Sequence, residues 1–110
     1  MTYIYYSATD GVHELSIYGH AGYDSEGKDI VCSAVSTIGY TLLGFLENEA
    51  HDTSDWSYAT DSGKLCITAE SSEKVDTAFD MALIGLLQIA HQYPRHVCIS
   101  DSPHHGRLHT

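Results

Sequence analysis

The sequence predicts an α+β domain in the order strand, strand, helix, strand, strand, helix, strand (ββαββαβ), with both helices packed on one antiparallel or mixed sheet. Three observations carry that reading. Two runs of β-forming residues each fold about a glycine-bearing turn, two long stretches set apolar residues at three- and four-residue steps, and a short apolar run follows Pro94. A chain of 110 residues matches one compact domain, 1–110, able to bury a modest core of its own.

The first run, Thr2 to Ser7 (TYIYYS), is rich in β-formers, and Asp10-Gly11 signals the turn after it. His13 to Gly19 resumes with Leu15 and Ile17 on one face, which completes a hairpin. From Gly19 to Lys28 the apolar pattern lapses while Gly22 and Gly27 appear, so this stretch reads as a loop with a mobile backbone and few apolar anchors. Val31, Ala34, Val35, Ile38, Leu42, Phe45 and Leu46 then mark one face of a helix, with Asp29 placed to cap its N-terminus. The polar run ENEAHDTSD ends that helix. Trp56 to Thr60 and Lys64 to Ala69 flank DSG as a second hairpin. Ser71 or Ser72 caps a second helix, whose stripe is Val75, Phe79, Ala82, Leu83, Leu86 and Ile89, and Pro94 closes it near Tyr93. His96 to Ser100 forms the last strand, and residues 101–110 read as a flexible tail. Gly39 and Gly44 each cost the first helix about 1 kcal/mol relative to alanine, so close helix packing, within the subunit or across a dimer, is the expected reason for them.

Composition narrows the classes of function. Fifteen acidic residues against five basic ones give a net charge of −10, which repels nucleic acid phosphates and anionic membranes. A basic partner is the natural complement, although acidity also serves solubility alone. The opening MTYIYYSATDG has neither a basic n-region nor a long apolar run, so it builds no signal peptide or spanning helix, and the cytoplasm is the expected location. Cys32, Cys66 and Cys98 are odd in number and form no CxxC pair, which argues against a disulfide framework and a thiolate zinc site. Cys66 and Cys98 lie inside strands and read as packing residues. His104, His105 and His109 in the tail lack a folded geometry, so no metal and no other cofactor is expected. Tyr3, Tyr5, Tyr6 and Tyr18 suit sheet packing, a dimer contact or a groove for an aromatic peptide.

The stretch from Gly19 to Ser36, GHAGYDSEGKDIVCSAVS, holds the chemistry. With Asp29 as the cap, Cys32 falls in the first helical turn, where free N–H groups and the helix dipole favour a thiolate, the nucleophilic form of cysteine. His20 ends a strand, and the loop after it can fold back to bring the imidazole to Cys32 as general base and then general acid. The amides at the helix start, that of Cys32 included, could hold the oxyanion of a tetrahedral intermediate. Asp29 either caps the helix or orients His20, and spacing leaves both open. The plainer alternative is a cysteine acting as a small buried hydrophobe and a solvated histidine at a strand end.

GHA, a seven-residue loop and then DIVCSAVS resembles the signature of the ribosomal-processing cysteine protease family, and the length and order of elements agree over the rest of the chain. The resemblance implies a homodimeric protease that removes a short N-terminal extension from a large-subunit ribosomal protein after an aromatic residue. It implies His20 and Cys32 as the catalytic pair, Gly19, Asp29 and Ser36 in support, and the loop bearing Gly22 and Gly27 as a lid over substrate. The implied partner is the N-terminal peptide of a basic ribosomal protein, with no direct contact to nucleic acid or membrane. Two alternatives stand beside it: a noncatalytic acidic dimer that binds a basic ribosomal or assembly partner, and the same protease acting on a phage or mobile-element protein. A redox-sensing thiol is a further option, weakened by the lack of a resolving cysteine nearby in sequence.

Overall fold

The computed structural model describes residues 1–24, 29–49, 56–61 and 64–101. Its elements are β1 (Thr2–Thr9), β2 (Val12–Gly19), α1 (Ile30–Glu49), β3 (Trp56–Asp61), β4 (Lys64–Glu70), α2 (Glu73–Gln92) and β5 (Val97–Asp101). The order matches the sequence-based one. Asp101 belongs to β5 rather than to the tail, because β5 pairs in parallel with β1 as far as Tyr6↔Asp101. Residues 102–110, with His104, His105 and His109, lie outside the described residues.

The strands form one mixed sheet in the order β3-β4-β2-β1-β5, antiparallel throughout except for the β1–β5 pair. Asp10 and Gly11 both have positive φ, 53° and 75°, so the β1–β2 turn is of the type whose twist matches a hairpin. Strand alternation then sends Ile4, Tyr6, Leu15, Ile17, Leu65, Ile67 and Ala69 to one face, where all are buried. Both helices cover that face. Val31, Val35, Leu42, Leu43 and Leu46 of α1 and Val75, Phe79, Leu83 and Leu86 of α2 complete the core. On the opposite face Tyr3, Tyr5 and Tyr18 are exposed, with Tyr3 stacked on Tyr18 at 5.4 Å.

α1 is long and apolar enough to cross a membrane by composition, yet its buried residues are those that pack into this core. Ser72, rather than Ser71, caps α2: its side chain accepts from the Val75 N–H at 3.3 Å. Ser71 instead donates to Asp76 at 2.6 Å and joins a chain at the turn end of the sheet. There His13, buried between strands and α2, contacts the Tyr6 hydroxyl through Nδ1 at 2.5 Å and the Asp76 carboxylate through Nε2 at 2.6 Å. The His13 ring also stacks on Phe79 at 4.5 Å.

The helix glycines divide differently from the expectation. A Cβ on Gly39 would stand 3.0 Å from Leu65 and 3.1 Å from Ile17, so Gly39 brings α1 close to the sheet and not to another helix. Gly44 faces open space. The helix-to-helix approach uses Gly85 of α2, where a Cβ would stand 2.9 Å from Ile38 of α1. Opposite outcomes follow for two substitutions in one helix. Gly39→Val is expected to destabilise the fold by about 1–3 kcal/mol through overpacking, and Gly44→Ala to stabilise it by about 0.5–1 kcal/mol by removing backbone freedom from the unfolded chain; urea denaturation of the two variants measures both signs.

Candidate active site

The pairing register brings one end of the sheet together with the ends of both helices. Thr2 of β1 lies opposite Gly19 of β2 and Val97 of β5, and the Thr2 N–H donates to the His96 carbonyl at 2.9 Å. The loop after Gly19 leads into the start of α1, and α2 ends beside it at Tyr93. Gly19 has φ of +88°, and a Cβ there would stand 2.5 Å from the Met1 carbonyl oxygen. Both facts require glycine next to His20.

Asp29 is buried and works as the cap of α1. Its Oδ1 accepts the N–H groups of Val31 at 3.0 Å and Cys32 at 2.9 Å, and the first helical bond runs from the Ser33 N–H to the Asp29 carbonyl. Its other oxygen reaches the loop, accepting from the Tyr23 N–H at 2.9 Å and the Asp24 N–H at 3.4 Å. Burial by itself pushes the Asp29 carboxyl up, but the donors from Cys32, Tyr23, Asp24 and Val31 together outweigh it and hold the group below the ordinary carboxylate range. Among the described residues Asp29 makes no hydrogen bond to His20, so the geometry selects the capping role of the two left open.

This cap overturns one expectation. The amides of Val31 and Cys32 are spent on Asp29, so they are not free to hold an oxyanion. The amide that does face the sulfur comes from the loop: the Ala21 N–H donates to Cys32 Sγ at 3.1 Å. Ala21 is buried, and Cys32 half-buried. This N–H, directed at the sulfur, fixes the start of the loop against the Cys32 side chain. His20, the residue before Ala21, has an exposed side chain with no hydrogen-bond partner among the described residues, while its carbonyl accepts from the Met1 ammonium at 2.6 Å. The fold thus carries the backbone next to His20 to the thiol and leaves the imidazole exposed at the surface.

The beginning of the loop is anchored, contrary to the reading of it as poor in contacts. The Tyr23 ring meets Tyr93 and His96 edge-on, each at 5.4 Å between centroids, and His96 Nδ1 donates to the Ala21 carbonyl at 3.0 Å. Tyr23, Tyr93 and His96 were not legible as site residues, since the contact with Ala21 spans 75 positions along the chain. Gly22 has φ of +69° and open space around it. Gly27 lies outside the described residues. Ser36 is exposed one helical turn beyond Cys32. Cys66 and Cys98 lie on the tyrosine-bearing face of the sheet, with Cys98 exposed rather than packed and Cys66 accepting from the Ser16 hydroxyl at 3.4 Å. Cys32 sits on a helix over the other face, which separates it from any resolving thiol of the same chain. No group of three or more metal-ligating side chains occurs among the described residues.

A family model described as cysteine protease Prp matches residues 1–98. The ribosomal processing cysteine protease Prp of Mycoplasma pneumoniae (strain ATCC 29342 / M129 / Subtype 1) is 29% identical over 89 residues, covering 81% of this chain and 87% of that protein. The protein of the same description from Mycoplasma genitalium (strain ATCC 33530 / DSM 19775 / NCTC 10195 / G37) is 29% identical over 83 residues, or 76% and 82% of the two chains. In fold, the chain is similar to the essential ribosomal processing protease Prp of S. aureus, solved with a covalently linked product peptide. That match has a TM-score of 0.84 at 18% identity and covers 93% of this chain and all of that one. SMU.848 from Streptococcus mutans matches with a TM-score of 0.71 at 28% identity over 92% and 93% of the two chains. The class these matches define is the cysteine proteases, enzymes that hydrolyse peptide bonds through a thiol. Within that class, the chain belongs to the cysteine protease Prp family.

The low-lying Asp29 carboxyl fixes the sign of a pH effect. A group whose folded value is depressed contributes stability above its unfolded value and loses it as pH falls through the folded one. Thermal melts of the parent are therefore expected to fall steeply below the ordinary carboxylate range. In Asp29→Asn the slope there becomes shallower, and the variant is less stable at pH 7 by about 1–3 kcal/mol through its weakened bonds to the four amides.

Proposed function

We propose that this protein removes a short N-terminal extension from a large-subunit ribosomal protein, with Cys32 as nucleophile and His20 as general base and acid. The observation that carries the reading is the Ala21 N–H on Cys32 Sγ at 3.1 Å, which sets the loop bearing His20 directly against the thiol at the start of α1. Family membership supports the reaction, and the net charge of −10 complements a basic ribosomal tail.

In this reading a rotation about the side-chain bonds of His20 brings its imidazole to Sγ when substrate is in place; such contacts are commonly long in the free enzyme. The imidazole takes the thiol proton, and the thiolate attacks the scissile carbonyl carbon. Collapse of the tetrahedral adduct breaks the C–N bond as imidazolium protonates the leaving amine. Water, deprotonated by the same imidazole, then hydrolyses the thioester and frees Cys32. Gly19 and Asp29 serve by shaping the backbone on either side of the pair, Ser36 lies along the same helix face, and the segment containing Gly22 and Gly27 passes over the substrate. The working form is a cytoplasmic homodimer. Two surfaces carry exposed apolar side chains suited to the contact between copies: the sheet face with Tyr3, Tyr5 and Tyr18, and the groove between the helices beside Met81.

Mass spectrometry of a ribosomal precursor incubated with the parent and its variants tests the assignment. The parent is expected to release one N-terminal peptide, and Cys32→Ala and His20→Ala each to lower turnover by about ten-thousandfold while the precursor still binds. Release of the same peptide by Cys32→Ala would overturn the assignment. Precursor retained by the parent without any product would point instead to a binding module.

A further inference from the structure

The imidazole of His20 has no hydrogen-bond partner among the described residues, so its position is set through the backbone that carries it. That backbone is held at Ala21 from two sides. The Ala21 N–H is given to Cys32 Sγ at 3.1 Å, and the Ala21 carbonyl receives a hydrogen bond from His96 Nδ1 at 3.0 Å. A carbonyl oxygen can only accept, so His96 carries its proton on Nδ1 whether the ring is neutral or charged. His96 is itself fixed. Its carbonyl accepts from the Thr2 N–H, its own N–H donates to the Tyr93 carbonyl, and its ring is met edge-on by Tyr23. Tyr23 returns to the site through its backbone N–H, which donates to Asp29, the residue whose other oxygen holds the Cys32 amide. The result is a closed circuit from Cys32 to Ala21, His96, Tyr23, Asp29 and back.

We propose that His96 is a positioning residue for the thiol and its histidine. By holding the Ala21 carbonyl, it keeps the Ala21 N–H on Cys32 Sγ and aims the adjoining His20, while the Tyr23 ring locks the imidazole in place. Without that bond the peptide between Ala21 and Gly22 loses its anchor, the Met1 ammonium on the His20 carbonyl is left as the hold on the preceding peptide, and the alignment of the Ala21 N–H with Sγ and the approach of His20 are loosened. The inference rests on the catalytic reading of Cys32 and His20. It differs from that reading in assigning control of the site to a side chain from the turn just before β5, outside the motif between Gly19 and Ser36.

The test uses the reactivity of Cys32 as well as turnover. Iodoacetamide is allowed to react with the parent, His96→Ala, His96→Asn and Tyr23→Ala, and the rate at Cys32 is followed by peptide mass spectrometry, with Cys66 and Cys98 as internal references. Kinetics on the precursor peptide and thermal melts run in parallel. His96→Ala is expected to slow both Cys32 alkylation and kcat by about tenfold or more, with KM within about twofold, because the loss is one of alignment. His96→Asn, whose side-chain N–H can occupy the place of Nδ1–H, is expected to recover most of both rates. Tyr23→Ala, changed on an exposed loop, falls between and keeps the comparison available if His96→Ala does not fold. Parental alkylation and kcat in a folded His96→Ala or, should that variant not fold, in Tyr23→Ala would overturn the proposal, as would a folded His96→Asn no better than His96→Ala. Alkylation needs no substrate, so a parent that alkylates normally but never cleaves the precursor refutes the peptidase reading separately from the role of His96.

Discussion

One carboxylate joins the two halves of this site. Asp29 uses one oxygen to terminate α1 and the other to gather the loop that follows β2. Both tasks require the negative charge, since the donors converge on a buried group whose desolvation is offset only by their number. The consequence for Cys32 is an exchange. Its own amide is committed to the cap, and the loop supplies the amide of Ala21 to the sulfur in its place. The sulfur is therefore met by an amide of the loop, while the Val31 and Cys32 amides of the first helical turn serve the cap.

Close backbone approach is the second device. Gly19 lets β2 end against the first residue of the chain, Gly39 lets α1 settle onto Leu65 and Ile17, and Gly85 lets the two helices meet at Ile38. At Gly19 the neighbour is backbone and cannot give way, whereas at Gly39 and Gly85 it is the end of a leucine or isoleucine side chain. At the turn end of the sheet a run from buried Tyr6 and His13 through half-buried Asp76 to exposed Ser71 ties β1, β2 and α2 together by polar contacts. The helix that is fastened there at Asp76 delivers Tyr93 to the site at its other end. Distant polar contacts and local glycines thus serve the same placement.

The elements were legible because their signals are local: the Asp10-Gly11 turn, the apolar stripes of α1 and α2, Pro94 after α2. So was the capping position of Asp29, which follows from its place before Ile30. The strand order and the parallel β1–β5 pair depend on contacts between sequence extremes and have no local signature. The same limit hid His96 and Tyr93, read only as the edge of a strand and the end of a helix. Gly44 meets nothing within its own chain, so the part of its reading that concerns packing inside the subunit does not hold. Free amides at the helix start were also inferred too simply, since the residue that caps a helix consumes the donors that the cap exposes.

The parallel pairing of β5 with β1 has a consequence for the order in which the molecule comes into being. Synthesis delivers β1, β2, the loop and α1 first, so Cys32 and His20 exist in the emerging polypeptide long before Tyr93 and His96. Until β5 docks beside β1, Thr2 has no carbonyl to meet and Ala21 has no imidazole to hold its oxygen. A pairing between strands this far apart is also among the slower steps of folding. The contacts that fix the start of the loop after β2 are thus completed only when nearly the whole described chain has left the tunnel and closed.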